Sequence, residues 1–161
     1  MPEIDLDIVF HINHLTEAQQ SDQSKRFEAA AKWVTQRFHL QRLTVSISIV
    51  DDPTIHRLNR DHLQHDWPTD VISFVFQSGA VTEGEIIASW DTAQRLSQAA
   101  GWSPVDELLL YILHGLLHLA GLDDVEPEQQ QEIRSVENEY LNYAGVPGAQ
   151  NYLARFNDVS Y

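Results

Sequence analysis

The sequence predicts an α+β fold in which a mixed sheet of about four strands packs with about five helices. Two periodicities carry this expectation. Apolar residues alternate with polar ones at 4–10 and 43–50, the repeat of a strand with one buried face, and they recur at helical spacing at 16–38, 104–120 and 127–143. A third observation places the centre: His114 and His118 stand one turn apart on the most apolar of these helices.

The elements follow in order. Ile4, Leu6, Ile8 and Phe10 alternate with Asp5 and Asp7 and predict a first strand. From Thr16 to about Phe38, the stripe of Phe27, Ala30, Ala31, Val34 and Phe38 predicts a helix, with Ser and Asp early in the stretch as candidate caps. Leu43 to Val50 is β-branched and alternating, a second strand. Asp51-Asp52-Pro53 opens a short helix running to about Arg60, since proline is tolerated in a first turn and acids suit the positive end of the dipole. After a polar loop and Asp66-Trp67-Pro68-Thr69, the nearly continuous apolar run Val71 to Phe76 reads as an interior strand.

Gly79 and Gly84 are expected to bracket a turn, and Glu85 to Ser89 to form a fourth strand. A helix from Asp91 to Ala100 ends at Gly101. Ser103-Pro104, a capping hydroxyl followed by proline, starts a helix to Ala120 that is apolar nearly all round and therefore central and buried. The last helix, from about Pro127 to Tyr143, carries Ile133, Val136, Tyr140 and Tyr143 on one stripe. The residues from Ala149 to Tyr161 lack periodicity and read as a packed tail or a segment that pairs with another chain.

The 161 residues hold 43% hydrophobic side chains and no repeat or low-complexity tract, so one domain spanning 1–161 is the economical expectation. With no cysteine, disulfides, thiolate ligands and cysteine nucleophiles are excluded together. The acidic N-terminus and the lack of a long apolar run predict a cytoplasmic protein that does not enter a membrane. A formal charge of -14 opposes non-specific binding to nucleic acid, because Lys and Arg supply most of that affinity. Any RNA role must rest on a local patch, a metal or a partner.

The chemistry concentrates at His114 to Asp124, an H-x3-H-x5-D pattern. Residues four apart share a helix face, so both imidazoles can point at one ion. Gly121 accepts the left-handed conformation that turns the chain back and can return Asp124 to that ion. Asp123 is the competing ligand, or an acceptor that orients a histidine N–H. Two histidines and a carboxylate leave a position for water, the mark of a catalytic zinc site. The carboxylate lowers the net charge of the centre and makes it more hospitable to Mn, Ni or Mg. The alternative is a pair of core histidines on an apolar helix, with Asp124 a solvated turn residue.

The same segment, together with Leu58-Asn59, Asp66 to Phe74 and Gly84-Glu85-Ile86-Ile87, resembles the YbeY family of bacterial metal-dependent endoribonucleases of ribosomal RNA maturation. The resemblance runs from about Ile4 to Gly145 and leaves the tail uncovered. His114 and His118 match the first two metal histidines, and Asp124 stands where the family has its third. Glu85 replaces the usual aspartate, Leu122 a tyrosine and Val75 a proline. The resemblance implies zinc in a cleft beside the sheet, and hydrolysis of RNA phosphodiesters. It also implies ribosomal RNA, small-subunit proteins and a ribosome-assembly GTPase as partners.

Further candidates surround the centre. Glu85 or Asp70 can supply a base, as can a substrate phosphate oxygen, although each acid also reads as a strand-end cap. Arg57, Arg60, His62 and His65 form a region able to meet phosphate or an ordinary polar loop, and Ser73, in the matched motif, is a candidate substrate contact. Glu107, on the His114 face two turns earlier, reads as a salt-bridged or solvated acid. Because position 115 is glycine, the glutamate of H-E-x-x-H peptidases is missing, which disfavours that chemistry. Two other expectations stay open: a ribosome-assembly binding factor with a structural or weakened metal site, and a peptidase-like hydrolase with metzincin-like histidine spacing.

Overall fold

The structure is a computed structural model and describes residues 2–63, 69–149 and 152. Among these residues the elements run β1 (Glu3–Phe10), α1 (Glu17–Arg37), β2 (Arg42–Val50), α2 (Asp52–Leu63), β3 (Val71–Gln77), β4 (Val81–Ser89), α3 (Trp90–Ala100), α4 (Pro104–Leu119) and α5 (Pro127–Tyr143). The mixed α+β fold expected from the periodicities is present, with five helices on a four-stranded sheet of order β1-β2-β4-β3. The first three strands in that order are parallel, and β3 returns antiparallel to β4.

The sheet divides the helices between two faces. Leu43, Val45, Ile47 and Ile49 of β2, with Ile86 and Ala88 of β4, enter one core with α1, α4 and α5. Val50, Ile72 and Ile87 point the other way and pack against Ile55 of α2. Since strand side chains alternate between faces, each residue of β4, and of β3 from Val71 to Val75, is assigned to one side by its parity; beyond Val75 the register of β3 shifts. Helix α4 is covered on nearly all sides: Leu108, Ile112, Leu113, Leu116 and Leu117 are fully buried.

Several local expectations are corrected. Strand β3 lies at the edge of the sheet, so its apolar run is not that of an interior strand: Val75 is 50% and Phe76 64% exposed. The α2 side still covers Phe74, but from Val75 onward the strand runs out from under the helices. Gly84 sits inside β4 rather than beside a turn, because Leu119 and the Phe74 carbonyl press against the place where a Cβ would be. Helix α1 is capped by Thr16, whose hydroxyl accepts from the Gln19 N–H while the Gln19 side chain accepts from the Thr16 N–H, so the later Ser and Asp are not its caps. β1 is an edge strand, and its apolar face is only half-buried, with Ile4 exposed.

At the start of α2, Asp51 accepts from the Thr54 N–H. The next acid ties α2 to α3: Asp52 accepts from the hydroxyls of Ser89 and Thr92 at 2.6 and 2.7 Å and from Arg95 at 2.9 Å. His65 and Asp66-Trp67-Pro68 lie outside the described residues, as does the tail beyond Ala149 apart from the buried Tyr152. No helix among the described residues is long and apolar enough to cross a membrane.

Candidate metal centre

Helix α4 ends at the second histidine's turn for a reason legible in the backbone. Gly121 takes φ 107°, the Gly121 N–H donates to the His118 carbonyl and the Leu122 N–H to the Leu117 carbonyl, both at 3.0 Å. This pair of reversed bonds satisfies the last carbonyls of the helix and swings the chain back over its own end. Asp123 Oδ1 then accepts the Asp124 N–H at 2.8 Å, and the next carboxylate is aimed inward.

The turn brings three donors together. The Nε2 atoms of His114 and His118 are 3.0 Å apart; Asp124 Oδ2 lies 3.3 Å from the first and Oδ1 3.7 Å from the second. A tetrahedral ion bound at about 2.0 to 2.1 Å requires donor separations of about 3.3 Å. The spacing therefore fits one ion, and with two imidazoles and a carboxylate the donor set suits a borderline divalent metal. Among the described residues, these three alone form such a group. Asp123 is exposed, lines the same cleft and holds the turn, but it does not join the three-donor group.

Electrostatics follow the geometry. Burial works against a charge on His114, but Asp124 and Glu137 outweigh it and push its pKa up to about 10. Burial and the neighbouring His114 charge hold His118 below its usual value. Asp124 is held low, chiefly by its contact with His114.

An open cleft of about 680 Å³ exposes the three donors, and Asp70 and Ser73 line it with them. Protein walls Asp70 on most sides, and this burial pushes its carboxyl up against the lowering pull of His114 and of the Val71 N–H. The structure therefore brings His114, His118, Asp124, Asp70 and Ser73 together. It does not bring the other candidates there. Glu85 pairs with Phe74 across the sheet and shares its face, whereas Ser73 and Ile86 point to the opposite, α4 side. Arg57, Arg60 and His62 ride on α2, which covers the Glu85 face, away from α4. Arg60 contacts Asp61, and the His62 ring stands edge-on to Phe74. Glu107 is not solvated: it is fully buried and accepts from the Trp102 indole at 2.7 Å.

One participant escaped the sequence reading. Glu137 of α5 is buried, and its Oε1 lies 3.6 Å from His114 Nδ1, behind the ring. The available signal was an acid four residues after Ile133, within an apolar stripe.

The model of the family "Endoribonuclease YbeY" matches residues 10–145. The chain belongs to the YbeY family of endoribonucleases. An endoribonuclease YbeY of Rhodopirellula baltica is 44% identical over 108 residues, covering 65% of this chain and 56% of that protein, so the chain spans just over half the relative's length. One from Chloroherpeton thalassium is 37% identical over 117 residues, 73% of this chain and 83% of the relative. The solution structure of Thermotoga maritima TM1509 superposes with a TM-score of 0.60 at 20% identity, over 89% of this chain and 94% of that one, and shares the fold. YbeY relatives bear the name of RNA hydrolases, and in this chain the matched segment contains the whole His114, His118, Asp124 group.

Proposed function

We propose that this chain is a single-domain, metal-dependent endoribonuclease that cleaves single-stranded RNA during ribosomal RNA maturation, in the cytoplasm. The observation that carries the reading is the convergence of His114, His118 and Asp124 at the separations one ion needs, in a chain of an endoribonuclease family. Zn2+ is the favoured metal because two of the three donors are imidazoles; Mn2+, Ni2+ and Mg2+ are the alternatives the carboxylate admits. Ribosomal RNA, small-subunit proteins and an assembly GTPase are the partners this role calls for.

When bound, the metal supplies a Lewis acid and a water of lowered pKa. The protein does the rest. His114 and His118, fixed on a buried helix, and Asp124, fixed by the turn, set the position of the ion in the cleft wall. Asp70, whose carboxyl burial pushes above the usual carboxylate value, accepts the proton from the attacking oxygen. The Ser73 hydroxyl, in the same cleft, donates to a phosphate oxygen of the substrate. No Lys or Arg lines this cleft among the described residues, and Arg134 lines the adjoining cavity that shares Asp70, His114 and Asp124, so the ion, with that guanidinium nearby, supplies the attraction that an acidic chain lacks.

The peptidase reading loses ground for a steric reason. A side chain at position 115 would meet three atoms of Ile86 at 2.9 to 3.0 Å, so a glutamate there could not reach the cleft. Cleavage of an unstructured RNA oligonucleotide by the metal-loaded protein, lost on chelation and in His114→Ala, is the expected result. Stoichiometric RNA or ribosome binding without cleavage in any divalent metal would replace this reading with that of a binding factor.

A further inference from the structure

Helix α5 presents an apolar stripe to the rest of the fold: Ile133, Val136, Tyr140 and Leu141 are all buried. Glu137 belongs to the same stripe and is only 3% exposed. Taking a carboxylate out of water costs several kcal/mol unless a partner compensates, so an acid here demands one. Its partner is His114, whose Nδ1 lies 3.6 Å away. The opposite nitrogen of that ring, Nε2, is the one that meets His118 and Asp124. The imidazole thus stands between two carboxylates and borders both the cleft and an adjoining cavity of about 310 Å³ lined in part by Glu137.

A neutral histidine can carry its proton on only one nitrogen, and a ligand nitrogen must be bare. A carboxylate facing Nδ1 selects the form protonated there and leaves the Nε2 lone pair pointing at the ion. We infer that Glu137 is the positioning residue of the metal centre, accepting the Nδ1–H of His114 and fixing both the tautomer and the ring angle of that ligand. The inference rests on the metal reading proposed above. It assigns Glu137 no contact with substrate. The second histidine draws its orientation from the Leu122 backbone instead, so the two ligands are held by different kinds of partner.

The test is a graded pair of substitutions in the full-length protein, read by Zn2+ affinity in a competition titration. Glu137→Gln keeps the shape and a neutral acceptor, and Glu137→Leu removes both. Loss of such an outer partner lowers metal affinity about 10- to 100-fold; the expected order is wild type tightest, then Gln, then Leu, at unchanged stoichiometry. Glu137→Asp, which restores the charge one methylene short, is expected to bind more tightly than Leu. If the variants fold poorly, nitrogen-15 NMR of wild-type zinc-loaded protein decides the matter, since the His114 ring must carry its proton on Nδ1. Affinity in Glu137→Leu equal to wild type, or a His114 protonated at Nε2, overturns the inference. A wild-type protein that binds no divalent ion removes the metal reading beneath it, and that outcome is distinguished because it appears before any substitution is made.

Discussion

Replacing Gly115 with alanine tests the seat of the whole centre. A Cβ built on Gly115 falls 2.9 Å from Ile86 Cδ1 and Cγ2 and 3.0 Å from Cγ1, whereas carbons in contact prefer about 3.5 to 4.0 Å. Ile86 is fully buried in the central strand β4 and has nowhere to withdraw. Either α4 lifts from the sheet by about 0.5 to 1 Å or Ile86 leaves its rotamer, and overpacking of this kind costs about 1 to 3 kcal/mol. Alanine recovers about 0.8 to 1 kcal/mol of helix propensity over glycine, so the net expectation is a loss of about 1 kcal/mol. For a chain of this size that lowers Tm by about 2 to 4 °C. The metal centre should suffer more, because ligand positions are specified to about 0.2 Å and His114 is the adjacent residue. Thermal melts with and without Zn2+, plus a zinc titration, measure both effects. Combining Gly115→Ala with Ile86→Ala should remove the clash, so the double variant should be more stable than the sum of the single effects predicts. A Gly115→Ala protein more stable than wild type and unchanged in zinc affinity would refute the packing argument.

The remaining expectations concern the same centre and its frame. Asp124→Ala should weaken Zn2+ binding far more than Asp123→Ala, which removes only the turn bond; equal effects in a titration would mean that the wrong carboxylate has been assigned. In protein stripped by chelator, metal binding must displace the proton that His114 holds up to a pKa of about 10, so affinity should climb about tenfold per pH unit through neutrality. The raised pKa also sets the sign for stability: this contribution is complete below about pH 6.5 and is lost as the pH rises through about 10, so stripped protein should melt at lower temperature at pH 10 than at pH 7. Gly84→Ala places a Cβ 2.6 Å from the Phe74 carbonyl and closer still to Leu119, and because backbone cannot yield as a side chain can, a loss of about 2 kcal/mol or more is expected in denaturant unfolding. Arg57→Ala and Arg60→Ala, on the far face of the sheet, should leave zinc affinity unchanged.

What could be read from the sequence was local. Helix boundaries set by Ser103-Pro104, Gly101 and Pro127 depend on capping chemistry within a few residues, and the structure places those helices where the signals stand. The two histidines and the returning carboxylate were legible for the same reason: helix periodicity and one glycine determine their spacing. Misreadings arose where the answer depended on a partner strand or helix. The run Val71 to Phe76 is apolar enough for an interior strand, but its place at the edge is decided by which strands pair. Gly84 reads as a turn residue until Leu119 is seen against it. Glu85 lies one residue from the face that carries the site, and a register that sends Ile86 toward α4 sends Glu85 away. Glu137 was invisible as a functional residue because its partner lies more than a helix away in sequence.

The metal centre stands or falls with cleavage of single-stranded RNA by protein loaded with one equivalent of Zn2+, run beside His118→Ala and beside wild type treated with chelator. Defined internal cuts by the loaded wild type, none in the other two, and recovery when metal is returned to the chelated protein are expected. Cutting that persists in His118→Ala after chelation would contradict the metal mechanism.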